Sequence, residues 1–302
     1  MNEQPLVSIL VITYNSSKYV LETLESAKKQ TYRNIELIVS DDGSKDSTVS
    51  ICKEWINKNT KYFKRCCIDH GEINRGIPAN CNKGIRQCYG EWVKLIAGDD
   101  KLLPNCIMDD VSYVADHPET DILFSKMICF GEKGIKCNVV DPGPYFRYLS
   151  KEEFEMVLRC INFIPAPTEF IKRSCFMDIG GWDESIPLIE DWPFWIKALE
   201  HRKTISFLYK ETVYYRFSDS SLSQQNSKFK PSNEYIDSLR KVLDQIHIPL
   251  FKIYKGSKYY IWSHQTKLEG TILGKILHVT NIFDPFYYKY KKVLKKLSNI
   301  HE

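Results

Sequence analysis

Apolar residues in this chain occur in two kinds of run. Over residues 6–13, 35–40 and 92–96 they are almost uninterrupted, as LVSILVIT, IELIVS and WVKLI. Strands buried on both faces of a parallel sheet read this way. Between them Val20, Leu21, Leu24 and Ala27, and then Val49, Ile51, Cys52, Trp55 and Ile56, recur at helical spacing. A weaker strand at 63–68 and a helix from about 78 to 88 lead up to Trp92, and Pro104 opens a further helical pattern. Four strand–helix alternations by residue 116 predict an α/β fold built on a Rossmann-like, mostly parallel sheet flanked by helices.

Further along, the pattern predicts a fifth strand at 121–130 and a hairpin or mobile loop over 132–148, where Gly and Pro become frequent. A helix follows over 151–161. Another starts at Asp191, with Trp192, Trp195, Ala198 and Leu199 as its apolar face and Pro193 in its first turn. Strands at 204–208 and 212–217 close the globular part, and the stretch 218–227 is polar. The remainder is predicted to be helical. Ile272, Leu273, Ile276, Leu277, Val279, Ile282 and Phe283 form an apolar segment too short to span a bilayer. Beyond it Tyr290, Val293, Leu294 and Leu297 repeat at helical spacing, with Lys289, Lys291, Lys292, Lys295 and Lys296 on the other faces. Such a basic amphipathic helix lies on an anionic membrane surface or packs its stripe on the domain.

With 302 residues, 43% hydrophobic and 26% charged, the chain has a globular composition and can bury a sizeable core. A net charge of +4 is too mild for a dedicated nucleic-acid binder, and no RNA or DNA module signature occurs, so nucleic acid is not an expected partner. The ten cysteines form no CxxC pair and sit mostly among apolar residues, which predicts free core thiols and a reducing, cytoplasmic location. Glu3 stands where a signal peptide needs positive charge, so the first apolar run reads as a strand. No GxGxxG follows that strand, which removes support for a dinucleotide site.

Chemistry concentrates where the strands end. The runs break at Tyr14 and Asn15, at Asp41, Asp42 and Gly43, and at Gly98, Asp99 and Asp100. Ligands of open α/β sheets bind outside the carboxyl ends of the strands. Adjacent carboxylates there suit a hard divalent cation that shares a substrate's phosphates, although Gly with Asp is also ordinary turn chemistry.

VSILVITYN at 7–15, QTYRNIELIVSDDGSKDST at 30–48, NRGIPANCNKGI at 74–85, AGDD at 97–100, and GGWDE with IEDW between 180 and 192 occur in this order. Over about residues 6–217 the chain thereby resembles inverting family 2 glycosyltransferases of the GT-A fold, of the type that assembles bacterial polysaccharides. The resemblance implies a GT-A domain over 1–220, with a nucleotide-binding half at 1–105 and an acceptor-binding half at 106–220. Residues 221–302 form the helical, basic tail. It further implies that Thr13, Tyr14, Asn15, Asp42, Asn82 and Asp99 bind a nucleoside diphosphate sugar, with UDP the favoured carrier. Asp99 and Asp100 would hold Mn2+ or Mg2+. Ala97 replaces the first acid of the family's DXD motif and leaves the strictness of metal dependence open.

Asp191 matches the family's catalytic base, kept ionised by the helix start, and Glu190, Asp183, Glu184 and Trp192 fall in the acceptor or loop region. Arg216, with Ser221 and Ser223, matches the segment that covers the diphosphate, and Ser218 stands near where many relatives carry a histidine. The implied acceptor is a hydroxyl of a lipid-linked saccharide, met by a peripheral enzyme at the inner face of the membrane. Two alternatives remain open at this point. One is a non-catalytic sugar-nucleotide-binding subunit, suggested by Ala97. The other is a nucleotidyltransferase, although TYNSSKY at 13–19 lacks the Gly-rich basic loop expected of one.

Overall fold

The uninterrupted apolar runs become the parallel half of a nine-stranded sheet. The computed structural model describes residues 4–131, 138–160, 162–217 and 233–242, together with Lys295 and Leu297. Strands β1 (Val7–Thr13), β2 (Ile35–Asp41), β3 (Cys66–His70) and β4 (Trp92–Ala97) run parallel in the order β3-β2-β1-β4. Successive side chains of a strand point to opposite faces, so each strand feeds two cores. Ile9, Val11, Leu37 and Val39 pack with α1 (Val20–Lys28), α2 (Thr48–Asn59) and α4 (Cys106–Asp116). Leu10, Ile38 and Val93 pack on the other face with α3 (Ile77–Arg86), α7 (Arg173–Ile179) and α8 (Asp191–Glu200).

The second half of the sheet is mixed. The short strand β8 (Phe170–Lys172) lies antiparallel between β4 and β6 (Ile122–Gly131), and β9 (Ile205–Phe217) runs parallel to β6. The two strands expected at 204–208 and 212–217 are therefore one. Its pairing with β6 jumps at Ser125 and again at Lys126, so the extra residues of β9 bulge out. Bulges bend and twist a strand, and the far half of β9 reaches over to pair with β5 (Lys101–Leu102), which is too short to leave a pattern.

Within 132–148 a hairpin arm, β7 (Asn138–Val140), pairs with β6, and a short helix, α5 (Gly143–Tyr148), follows. Residues 132–137 lie outside the described residues. Helix α6 (Lys151–Cys160) matches its expected span, whereas α7 has no counterpart in the sequence reading because seven residues give too short a period. It ends at Gly180 with φ 88°, where Gly180 N donates to Met177 O and Gly181 N to Phe176 O. This is a left-handed glycine termination. A Cβ on Gly181 would sit 2.7 Å from Asn82 Oδ1, so only glycine fits there.

After the polar stretch, α9 (Asn233–Val242) packs back onto the domain. Val242 is buried in the core that holds Trp182 and Ile186, and Lys241 Nζ donates to Ser185 O. The apolar segment 272–283, most of the lysine-bearing segment 284–302, and Ser218, Ser221 and Ser223 lie outside the described residues. Of the final helix pattern, Lys295 is exposed and Leu297 is buried. No helix among the described residues is long and apolar enough to cross a membrane, and the described cysteines are free thiols.

Candidate active site

The register brings three strand ends together. Thr13 pairs with Asp41, Ile12 pairs with Ala97, Asp42 N donates to Thr13 O at 2.9 Å and Gly98 N donates to Ile12 O at 2.8 Å. The tips of β2, β1 and β4 thus form one edge at the point where the strand order reverses, the expected ligand crevice of an open α/β sheet. On that edge the side chains do different work. Thr13 is buried, its hydroxyl donating to Asp41 Oδ2 at 2.7 Å. Asn15 adopts φ 50°, and its Oδ1 accepts from Lys45 N at 2.8 Å, tying β1 to the loop after β2. Tyr14 lies between them with 45% of its surface exposed. Asp42 is buried, and its Oδ2 accepts from Arg75 N at 2.9 Å and Gly76 N at 2.8 Å, which shapes the loop before α3.

The turn after β4 separates its two carboxylates. Asp100 is buried, and its Oδ1 accepts from Arg216 N at 2.7 Å, while Oδ2 has no hydrogen-bond partner among the described residues. Asp99 is half-buried, and its carbonyl accepts from Arg216 Nε at 2.8 Å. Arg216 is itself buried, pairs with Glu22 at 3.0 Å and lies 4.1 Å from the Tyr19 ring centre and 4.5 Å from that of Phe130. Its guanidinium therefore holds the turn after β4 to Glu22 of α1.

Burial pushes both carboxyls up, Asp100 well above the usual range with the charge of Asp99 adding to the rise. Two oxygen donors that destabilise one another, one with an unpartnered buried oxygen, fit a hard cation. No group of three or more His, Cys, Asp or Glu side chains among the described residues is arranged to hold a metal. A cation here would therefore complete its shell with phosphate and water, as Mg2+ commonly does.

A second acidic group lies beside this edge. Because β8 runs antiparallel to β4, its start lies near the carboxyl end of β4, and Glu169 immediately precedes it. Sequence reasoning missed Glu169, since nothing in PAPTEFIK marks the acid as buried. It is 1% exposed, and its Oε1 has no hydrogen-bond partner among the described residues. Burial together with the nearby Asp191 pushes it to about 8, while Lys94 pulls it down. Lys94, fully buried, donates to Thr168 O at 2.7 Å and pairs with Asp110 at 3.4 Å, fixing the chain just before Glu169.

Asp191 is the first residue of α8, and Asn162 Nδ2 donates to its Oδ2 at 2.8 Å. Opposing influences act on the Asp191 carboxyl at this helix start. Burial raises its pKa, and the Asn162 amide and the first-turn backbone amides only partly offset that rise. The neighbouring Glu190 is pushed to about 8 by burial and by the Asp191 charge.

The remaining expected residues build the loop. Asn82 is buried, with Oδ1 accepting from Trp182 N at 3.0 Å and Nδ2 donating to Trp182 O at 3.0 Å and Glu184 Oε1 at 2.9 Å. Its amide is engaged by the GGWDE loop. Trp192 is buried, and its Nε1 donates to Leu158 O at 2.5 Å, anchoring α8 to α6. Asp183 Oδ1 accepts from Ser185 N at 2.9 Å within its own turn. Asp183 and Glu184 line an open cavity of about 580 Å³ together with Arg86, Trp182 and Lys197.

The model of glycosyl transferase family 2 matches residues 8–166. An uncharacterized glycosyltransferase of Rickettsia typhi is 32% identical over 198 residues, covering 65% of this chain and 59% of the relative. The match thus spans less than two thirds of that relative's length. Among solved structures, S. aureus TarS 1–349 in complex with UDP-GlcNAc aligns with a TM-score of 0.61 at 23% identity, over 87% of this chain and 70% of that one. The mannosyltransferase PcManGT from Pyrobaculum calidifontis, in complex with GDP-Man and Mn2+, aligns with a TM-score of 0.59 at 16% identity, over 96% and 84%. At these identities the likeness is one of fold, and the fold is of the GT-A kind.

Proposed function

This chain belongs to glycosyl transferase family 2, and from that premise we propose that it moves a hexosyl or hexosaminyl group from a UDP-linked sugar to a hydroxyl of a saccharide acceptor, with inversion. What supports this reading is the row of Asp42, Tyr14 and Asp99 on one sheet edge, with the carboxylate of Asp191 near Glu169 beside it. Tyr14 offers the exposed ring for the base, and Asp42 shapes the loop at the same tip. Asp191 takes the proton of the acceptor hydroxyl as its oxygen attacks the anomeric carbon. The new C–O bond forms on one face while the bond to the nucleoside diphosphate breaks on the other. A carboxyl whose pKa burial has raised is a stronger base once ionised, which suits it to that step. Asp99 and Asp100 would hold Mn2+ or Mg2+, which when bound supplies positive charge for the departing diphosphate. The acceptor is lipid-linked, and the basic C-terminal segment keeps the enzyme at the inner membrane face during cell-surface polysaccharide synthesis.

The test is transfer by the purified chain across a panel of UDP- and GDP-sugars. Asp191→Asn should abolish turnover and leave donor binding within about twofold, because the amide keeps the shape but cannot accept the proton. A product with retained anomeric configuration, read by NMR, contradicts single displacement. Ala97, in place of an acid, favours a second reading, a binding subunit without catalysis. Slow hydrolysis of the donor sugar that disappears in Asp99→Ala excludes it.

A further inference from the structure

We infer that Asn162 is a positioning residue for the general base, its side-chain amide holding the Asp191 carboxylate at the solvent edge of the site and keeping it available as a proton acceptor. The inference rests on Asp191 being the base.

The contact runs from Asn162 Nδ2 to Asp191 Oδ2 at 2.8 Å and joins the segment after α6 to the first residue of α8. Asn162 is exposed, so it needs no partner to satisfy a buried polar group of its own. Both ends of the contact are held by packing. Phe163, next to Asn162, stacks on Tyr145 at 4.1 Å and 12° and meets Phe154 edge-on at 5.4 Å. At the other end, Trp192 Nε1 ties α8 to Leu158 O of α6. With both backbones fixed, the soft freedom left to Asp191 is rotation of its carboxylate, because terminal sp³–sp² torsions are broad. The Asn162 donor narrows that rotation.

The chemistry of the partner matters as much as its place. Burial disfavours the charged form of Asp191, and acidic groups surround it. Glu190 precedes it, Glu169 approaches from β8 with Lys94 on its far side, and the buried Cys81 thiol of α3 lies close to both glutamates. An arginine in place of Asn162 would restore ionisation but draw the proton affinity down with it, and a base needs both. A neutral amide donor favours the carboxylate and leaves it basic. The backbone amides of the first turn of α8 and the Trp195 indole act in the same sense from within the helix, whereas Asn162 reaches the carboxylate from a separate segment.

The experiment uses full-length protein labelled with ¹³C at the Asp carboxyls, with the Asp191 resonance assigned by its loss in Asp191→Asn. In Asn162→Ala its titration midpoint should rise by about one pH unit, and in Asn162→Asp, which has the same shape but adds a charge, it should rise further. The acid limb of the kcat profile should move with the midpoint. The value of kcat should drop about tenfold, with KM for the best-used donor sugar nearly unchanged. Asn162→Ser, which keeps a donor, should fall between wild type and Asn162→Ala. Equal midpoints in wild type and Asn162→Ala, in variants of matched thermal stability, overturn the inference. Normal turnover in Asp191→Asn instead overturns the base assignment, and the NMR titration distinguishes the two failures.

Discussion

Tyr14 exposes nearly half its surface while the side chains on either side of it are engaged with the protein itself, Thr13 with Asp41 and Asn15 with Lys45. A ring presented in this way is suited to stacking, and base–aromatic stacking contributes about 1–3 kcal/mol. Tyr14→Ala should therefore weaken UDP binding by about tenfold or more in calorimetry, and Tyr14→Phe should bind nearly as wild type. Glu169 makes a prediction in pH. Burial lifts its carboxyl from the ordinary glutamate value of 4.5 to about 8 in the folded chain, so between these values the folded state carries a proton that the unfolded state has released. Stability must then fall as pH rises through that window. Glu190 contributes with the same sign. Glu169→Gln cannot ionise, so its thermal midpoint should decline less than that of wild type between about pH 5 and 8, by several degrees. Parallel declines would show that Glu169 is ionised in the folded protein.

Two elements position these residues. The first is the start of β8, where a fully buried lysine reaches Thr168 O from β4 and pairs with Asp110 of α4. A buried ion pair is weak evidence for stability, but removing one partner leaves the other charged and unpaired, at a cost of about 3–5 kcal/mol. Lys94→Ala should lower the melting temperature by about 10 °C, and Lys94→Ala combined with Asp110→Ala should recover part of it. A single variant as stable as wild type would mean that Asp110 is already protonated, the direction in which burial pushes it. The second is β9. It pairs with β6 from Ile205 to Phe217 and, on its other edge, with β5 at Val213 and Tyr214, and this brings Arg216 against the Asp99–Asp100 turn.

At the scale of the molecule, the parallel half of the sheet carries the edge proposed for the nucleotide, and the mixed half, with α6 and α8, carries Asp191 and its surroundings. The C-terminal extension begins on the domain, with Val242 in the core and Lys241 bonded to the loop at Ser185. The lysines at 289–296 are predicted to attach the enzyme to anionic lipid, each contributing on the order of 1 kcal/mol at such a surface. Co-sedimentation with phosphatidylserine vesicles should be lost in high salt and on deleting residues 284–302. Equal recovery of full-length and truncated protein in the supernatant at low salt would exclude it. The strands that build the nucleotide edge were legible in the sequence because a strand buried on both faces must be apolar throughout, and the polar residues that end such a run can only lie at the sheet edge. Tyr14, Asp42 and Asp99 were marked in that way, whereas Asp191 was marked by the start of a helical pattern, with the motif order supplying the expected roles of all four. The tertiary structure alone decided that Asn82 and Trp192 hold the scaffold, that Arg216 braces the Asp99–Asp100 turn, and that Glu169 and Asn162 stand with Asp191. Those placements depend on the antiparallel insertion of β8, on the bulges of β9 and on contacts between residues tens of positions apart. None of these leaves a local period in the sequence, because periodicity records which face of an element is buried and not which element lies against it.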